Sequence, residues 1–357
     1  MGQECTTCLR GAPGSKTTQD LDLSKKVMGP IREVFAKLDR SHISTAKEVD
    51  DPVSTIEFTK PQALPVQNQG YDSFDERDEE LAKSKVQNKK FVGKISSKVS
   101  PDALKICKSL DFEFSNGYEA VLLPDRTIYL GEFDENGSKV GEGLEVSPEG
   151  GIFKGAFKSG LREGQGFLVF PNGDYFQGSF KKGQIEGKGK FVSNEGSTYS
   201  GQFKKDLKSG FGKEEWPDGS CYEGFYEEAQ KHGHGKFTWK DGSVYEGDFV
   251  EDNIEGKGVY AWANGKRYDG EWKANKMHGF GVFVWSSGRK YEGQYKDDQK
   301  SGLGKLTYPD GRVYDGQWVG GQQHGQAYFT FMNKKTKKYI TRKGRWEDGA
   351  RVEWLKD

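Results

Sequence analysis

A clock of 23 residues runs through most of this 357-residue chain. The triplet aromatic-x-Gly recurs at Tyr129/Gly131, Phe153/Gly155, Phe176/Gly178, Tyr199/Gly201, Tyr222/Gly224, Tyr245/Gly247, Tyr268/Gly270, Tyr291/Gly293 and Tyr314/Gly316. The first step is 24 residues and every later one is 23. A second aromatic follows each glycine by two residues: Phe133, Phe157, Phe180, Phe203, Tyr226, Phe249, Trp272, Tyr295 and Trp318. Later in most units stands Gly-x-Gly, as at Gly187/Gly189, Gly210/Gly212, Gly256/Gly258, Gly279/Gly281 and Gly302/Gly304. A fixed period of this length marks stacked supersecondary units, none of which closes a core alone. The composition fits that reading better than two or three ordinary domains. Hydrophobic residues are only 33% of the chain, and its 49 glycines are about twice average usage.

Within a unit the period is two, not 3.6. Tyr245, Gly247 and Phe249 fall on one face of a strand, with Glu246 and Asp248 on the other. After a short loop, Gly256, Gly258, Tyr260 and Trp262 share one parity, and Lys257, Val259 and Ala261 take the opposite one. Each unit therefore reads as a β-hairpin with an aromatic-plus-glycine face and a mostly polar face. Asn172-Gly173, Asp218-Gly219, Asp241-Gly242, Asn264-Gly265 and Asp310-Gly311 supply tight turns, where Gly or Asn tolerates positive φ. Nothing between units is long enough for a crossover helix, so the fold class is an elongated, twisted, single-layer antiparallel meander.

Glycine ordinarily weakens a strand. Here a single sheet has no second layer to cover its apolar face, and glycine beside each aromatic leaves a gap into which neighbouring rings can lie flat. That arrangement needs a curved or twisted sheet, which glycine permits. Two strands per unit at about 4.8 Å give nearly 10 Å per unit, and nine units make a rod of roughly 90 Å.

These residues resemble the MORN family (membrane occupation and recognition nexus repeats), whose pattern is Tyr-x-Gly-x-aromatic followed by Gly-x-Gly-x-aromatic at a 23-residue period. The match runs from about Tyr129 to Phe331, and residues 129–336 read as nine such units. Its repeat positions include Tyr199, Gly201, Tyr222, Gly224, Tyr245, Gly247, Gly256, Gly258, Tyr268, Gly270, Tyr291, Gly293, Tyr314 and Gly316. The resemblance implies an elongated β-sheet, frequent dimerisation, and scaffold roles at membranes, cell cortex and cilia. It leaves lipid binding open. Some enzymes carry such repeats fused to a catalytic domain, but no residues remain here to hold one.

The ends depart from the pattern. In residues 101–128, Ile106 and Gly117 fall where a preceding unit would place its aromatic and first glycine, while Glu119 replaces the second glycine. This segment is a degenerate half-repeat or cap. Ser100-Pro101-Asp102 predicts a helix start, and residues 101–110 a short helix over the sheet's first edge. Gly325-x-Ala327 loses a glycine, and Lys334, Lys335, Lys337 and Lys338 interrupt the spacing before Gly344 and Trp346. Residues 337–357 then form an atypical C-terminal unit whose lysine-rich start protects an edge or offers a partner surface.

Residues 1–100 carry no repeat and few aromatics, which predicts a mostly disordered tail. Near 30–39, Ile31, Val34, Phe35 and Leu38 form one apolar helical stripe beside Arg32 and Lys37. Three roles fit it: docking on the protein's own sheet, binding a partner, or lying on a membrane surface. The opening Met1-Gly2-Gln3-Glu4-Cys5-Thr6 fits the N-myristoylation pattern, and Cys5 and Cys8 stand where S-palmitoylation would add a second chain. One myristoyl chain anchors only marginally, so the second signal matters. Lys83, Lys85, Lys89, Lys90, Lys94 and Lys98 form an acid-free basic stretch, preceded by the acidic Asp72, Asp75, Glu76, Asp78, Glu79 and Glu80. The lysines can touch anionic lipid or form a solvated face balanced by the acids.

The sequence presents no catalytic constellation. His232, His278 and His324 repeat every 46 residues, about 19 Å apart along the rod, so one ion cannot bridge them. The Gly-x-Gly pairs lack the context of a phosphate cradle. No cofactor, metal or small-molecule substrate is implied. The 54 basic residues balance 54 acidic ones, which argues against nucleic acid. The N-terminal residues lack the apolar core of a signal peptide, which predicts a cytoplasmic protein. The leading reading is a non-enzymatic scaffold, lipid-tethered to a membrane at the cell cortex or cilium and presenting its rod to cytoskeletal proteins. An axonemal, microtubule-associated component without a lipid anchor is the second reading, and a phosphoinositide-binding module the third. Exposed sheet ends also invite a homodimer.

Overall fold

The computed structural model describes residues 89–90, 94–110, 112–114 and 117–356. Gly2, Cys5, Cys8 and the stripe Ile31, Val34, Phe35 and Leu38 lie outside the described residues, as does most of the expected tail. Among the described residues, one antiparallel sheet of 22 strands runs from β1 (Lys89–Lys90) to β22 (Ala350–Trp354). Each strand pairs only with its neighbours in sequence, from β1–β2 to β21–β22. This is the meander that the two-residue periodicity predicts. It is an open sheet with two free ends.

The aromatic face covers itself in the way the glycines allow, and one hairpin shows how. In β13 (Val244–Val250) and β14 (Asn253–Ala261), Tyr245 is fully buried and its ring lies over Gly247 and Gly258, which sit opposite each other. A Cβ on Gly258 would fall 2.5 Å from the ring's Cε2 and Cζ, inside the ring's own contact surface. The Tyr245 ring meets Phe249 edge-on at 5.2 Å and 90°, then Trp272 of the next hairpin at 5.6 Å and 85°. Tyr199, Tyr222, Tyr268, Tyr291 and Tyr314 repeat both contacts, so edge-to-face rings run unbroken along the sheet. Each of these tyrosines also donates its hydroxyl to the carbonyl three residues on, as Tyr245 does to Asp248 at 3.1 Å. That bond satisfies the one polar atom of the buried ring.

The two glycines of Gly-x-Gly have different work, although the sequence places both on one face. Gly258 makes room for the ring, whereas Gly256 (φ 63°) forms a bulge. The register jumps there, from Gly247 opposite Gly258 to Asp248 opposite Glu255. The bulge repeats in every hairpin at the equivalent position and adds local right-handed twist.

Both turn types are tight. The predicted Asp-Gly and Asn-Gly turns close three-residue loops: at Trp216, the Gly219 N–H donates to the Trp216 carbonyl and the Trp216 N–H donates to Ser220, both at 2.9 Å. The opposite loops are two-residue turns with consecutive positive φ, a geometry usually supplied by Asn-Gly. Ser159-Gly160, Lys182-Gly183, Gly320-Gly321 and Asp348-Gly349 end on glycine, whereas Lys205-Asp206, Glu228-Ala229, Glu251-Asp252, Ala274-Asn275 and Asp297-Asp298 lack it. A reciprocal clip to the preceding hairpin holds several of them. Asp252 N–H donates to the Lys231 carbonyl at 3.0 Å, and its Oδ1 accepts the Lys231 N–H at 2.9 Å. Asn275 with Ile254 and Asp298 with Met277 repeat the pair.

The N-terminal helix forms where expected but covers a different surface. Helix α1 (Pro101–Ser109) starts at Ser100, whose Oγ accepts the Ala103 N–H at 3.2 Å. Instead of capping the edge, it packs on the face opposite the aromatics. Ala103, Ile106 and Cys107 are buried with Ile128, Val146, Ile152, Val169, Tyr175 and Val192, one residue from each of six consecutive strands. The same row continues as Thr198, Glu215 and Cys221, where the apolar floor ends. Ile106 is thus helical, and only the two-residue β2 (Val121–Leu122) remains of a half-repeat. The end of the expected tail is built as well: Ile95–Lys98 forms a turn of 3-10 helix and Val99 is buried. At the other terminus, β21 (Tyr339–Glu347) brings Trp346 edge-on to Tyr314 at 5.2 Å, so the atypical unit extends the ring series past its lysine-rich interruption.

Gly258→Ala should destabilise its hairpin by about 1–3 kcal/mol through overpacking against Tyr245. Gly242→Asn, in an open turn at φ 88°, should cost less than about 1 kcal/mol. Hydrogen exchange resolved by peptide measures both; equal effects would show that ring-over-glycine contact does not hold the sheet.

Candidate interaction surfaces

The aromatic face is not wholly apolar. Most hairpins carry an aliphatic or aromatic residue two positions after the second glycine of Gly-x-Gly, or after Ala327 in its place: Leu168, Phe191, Phe237, Tyr260, Phe283, Leu306 and Phe329. Two carry a carboxylate there instead, Glu145 and Glu214, and both are buried. Each lies between a cation of its own hairpin and one of the next. Glu145 pairs with Lys139 and, at 2.8 Å, with Arg162. Glu214 pairs with the buried Lys208 and accepts the Tyr226 hydroxyl at 2.8 Å, with Lys231 close enough to act on its charge. Lys208 also sits 5.0 Å from the Tyr199 ring centroid and 5.6 Å from that of Tyr226, so its ammonium is held by rings as well as by charge.

Burial alone would raise the Glu145 carboxyl; Arg162 and then Lys139 outweigh it and bring it down to about 2. Glu214 is likewise held ionised, burial being overcome by Lys208 and Lys231. These acids were missed in the sequence, although the signal is plain in retrospect. A carboxylate stands at a position otherwise filled by hydrophobic side chains, with Lys six residues before it in both cases.

The opposite face is laced with alternating charge. Lys213 faces Glu223, Glu223 faces Lys236, and Lys236 faces Glu246 across successive strands. Such exposed pairs contribute little stability each. Half-exposed apolar side chains interrupt the pattern. Phe211 and Phe225 stand directly opposite each other with rings 5.6 Å apart, and Phe280, Leu303 and Tyr328 protrude further along. Exposed rings clustered in this way on a charged surface are suited to recognising another protein.

Among the described residues no cluster of three metal-ligating side chains occurs. His232, His234 and His278 each sit beside an acid, Glu227, Asp248 and Asp297 respectively, at 3.5–3.7 Å. Both described cysteines are free thiols. Cys107 lies on the buried side of α1, where burial, partly offset by a backbone hydrogen bond, pushes its thiol up to about 12 and leaves it unreactive at neutral pH. No helix among the described residues is long and apolar enough to cross a membrane.

A self-covering sheet of hairpins with a 23-residue period defines a β-repeat rod. The MORN repeat model matches residues 153–175, 176–198, 199–221, 222–244, 245–267, 268–288, 291–311 and 314–336, just over half of the chain, and the chain belongs to the MORN repeat family. These are eight of the nine predicted units. The hairpin at Tyr129 is not among the matches, though its ring lies over Gly131 and Gly143 in the same way. The family is a non-catalytic repeat scaffold. No curated protein matches the chain. Among solved structures, the G-box domain of the microcephaly protein CPAP is 13% identical with a TM-score of 0.32, covering 57% of this chain and 98% of that one. The wild-type TCP10 domain of Danio rerio CPAP is 11% identical with a TM-score of 0.29, covering 67% and 99%. The SAS-4 (dCPAP) TCP domain of Drosophila melanogaster, solved in complex with a proline-rich motif of Ana2 (dSTIL), is 13% identical with a TM-score of 0.29, covering 52% and 95%.

Removing one partner of the buried pair should be severe: Glu214→Ala leaves Lys208 uncompensated and should cost about 3–5 kcal/mol. Lys208→Ile with Glu214→Phe recreates the Ile185/Phe191 pair of a neighbouring hairpin and should lie within about 1 kcal/mol of wild type. Denaturant melts of the two variants distinguish these outcomes. Because the folded Glu145 carboxyl lies below its unfolded value, its contribution is complete above about pH 4.5 and is lost as pH falls toward about 2. Glu145→Leu should flatten stability in that acid window, which melts at stepped pH would register.

Proposed function

We propose that this protein is a structural scaffold held at the cytoplasmic face of a membrane by acylation at Gly2, with Cys5 and Cys8 as second anchoring sites, and that its rod presents binding surfaces to cytoskeletal proteins at the cell cortex or cilium. The observation that carries this reading is the shape of the surface. A meander of 22 strands extends for about 100 Å along the sheet. It keeps one charged face available beyond α1, with protruding rings at Phe211, Phe225, Phe280 and Tyr328. Such a surface suits contact with several partners at defined spacing. The near balance of basic and acidic residues gives the rod no general attraction to anionic lipid, so a membrane location requires the tail.

The anchor is tested by mass spectrometry of the native N-terminus together with membrane fractionation of Gly2→Ala. Acylated glycine, and a variant shifted to the soluble fraction, are expected. A free or acetylated glycine with unchanged fractionation would remove the anchor. Retention of the Cys5→Ser, Cys8→Ser double variant in detergent-extracted cytoskeletons would then favour an axonemal, microtubule-associated component.

A further inference from the structure

Along one rim of the sheet the three-residue turns of successive hairpins follow one scheme, and one turn departs from it. The side chain at the middle position accepts a backbone N–H two residues on: Asp218 from Ser220 at 2.9 Å, Asp241 from Ser243 at 2.8 Å, Asn264 from Lys266 at 3.2 Å and Asp310 from Arg312 at 3.1 Å. Asp310 also accepts the Arg312 Nε–H at 2.7 Å, while the guanidinium carbon lies 4.6 Å from the Tyr308 ring centroid. One period earlier, between β16 (Lys276–Val284) and β17 (Lys290–Lys296), the turn keeps the ring and the cation but lacks the acid. The Arg289 guanidinium lies 4.2 Å from the Trp285 centroid, and Ser287 stands in the place of Asp310. The Arg289 Nε is buried and has no hydrogen-bond partner. Ser286, Ser287 and Gly288 are all exposed.

We propose that Ser287 is a phosphorylation site whose phosphate pairs with Arg289. A protein kinase transfers the γ-phosphoryl group of ATP to Ser287 Oγ. The new O–P bond forms as the bond to the β,γ-bridging oxygen breaks, ADP leaves, and the hydroxyl proton passes to the kinase's base. Position singles out Ser287 rather than its neighbour. Ser286 aligns with Pro217, Lys240, Ala263 and Pro309, whose side chains carry no acceptor, whereas Ser287 aligns with three aspartates and an asparagine. Charge supports the same choice. The flanking turns are in contact with this one, since a Cβ on Gly265 would lie 3.6 Å from Ser286 and one on Gly288 would lie 3.7 Å from Pro309. Their acids are already engaged: Asp310 by Arg312, Glu292 by Lys290 and Asp269 by Arg267. Lys266 stands on the preceding turn, and Lys300 lies 5.4 Å from the Trp285 centroid, so the surroundings of Arg289 are cationic. A serine hydroxyl leaves that charge unbalanced, whereas a phosphate brings a charge of about −2 and three acceptor oxygens. The pair it forms with a guanidinium is short and charge-assisted. Phosphorylation thus turns this stretch of the rim from cationic to anionic without altering the sheet, and a partner that reads the rim is switched by charge. The inference does not depend on membrane anchoring.

The test has two arms, both on the full chain. In protein purified from its own cells under phosphatase inhibitors, fragment mass spectrometry should place a phosphate on Ser287. With phosphoserine genetically encoded at position 287, phosphorus NMR should show the phosphate titrating at least about 0.5 pH unit below its value in a free 283–292 phosphopeptide, the direction expected when a cation holds the dianion. Arg289→Met should return it to the peptide value with the amide protection of β17 kept, and Arg312→Met should leave it depressed. An unmodified Ser287, or phosphate on Ser286 alone, would overturn the site. A phosphate that titrates as in the peptide, or a depression that survives Arg289→Met, would overturn the pairing.

Discussion

Tyrosine rings lying over glycine hold this molecule together. A sheet with an aromatic face would ordinarily need a second layer to exclude water from it. Here the missing Cβ atoms of Gly247 and Gly258 form a slot as deep as the Tyr245 ring, and the edges of Phe249 and Trp272 close it. Burial of the ring is complete although only one layer of backbone is present at that point. The hydroxyl bond to Asp248 makes the arrangement tolerant of either Tyr or Phe, and Phe153 and Phe176 occupy the same slot without it. Most other features are consequences. The bulge at Gly256 adds twist, and the clip from Asp252 to Lys231 fixes one hairpin on the next.

Periodicity made the ring and ring-slot positions legible because each obeys one local rule, repeated. Where a residue's role depends on its neighbour in the adjacent unit, a single unit says nothing. Gly256 and Gly258 look alike in sequence, yet one bulges and the other receives a ring, and only the pairing partner across the strand separates them. The five two-residue turns without glycine were hidden for a related reason. Glu251-Asp252 lacks the glycine that usually marks consecutive positive φ, and its compensation is a bond to Lys231 in the preceding hairpin, 21 residues away. Glu214 is marked in the sequence by Lys208 six residues before it on the same strand, but its bond to Tyr226 on the next strand is fixed only by the pairing. Helix α1 was visible from Ser100-Pro101, but the face it covers was not. That face is decided by where the row from Ile128 to Val192 stops being apolar.

The buried acids bear on specificity more than on stability. Hairpins of one design can pair in shifted order, since each presents nearly the same ring, slot and bulge to its neighbour. A charged residue in an aromatic face penalises any arrangement that leaves it without its cations. Glu145 needs Arg162 from the second hairpin and Glu214 lies against Tyr226 of the fifth, so each fixes one junction of the series.

A rod whose hairpins touch only their neighbours is stabilised step by step, and its order at any point depends on the junctions nearby. Its two ends are accordingly finished by different means. The N-terminal end gains a second layer from α1, which covers six strands. The C-terminal end continues the ring series through Trp346, which meets Trp354 edge-on at 6.1 Å, and Arg351 sits 4.1 Å from the Trp354 ring centroid. A capped end and a continued end give the rod polarity, so a partner that reads Phe211 and Phe225 meets them at a fixed distance and direction from the point where the tail enters. That polarity is what a scaffold needs if it is to orient what it binds, and it arises from the unequal treatment of two sheet ends rather than from any single repeat.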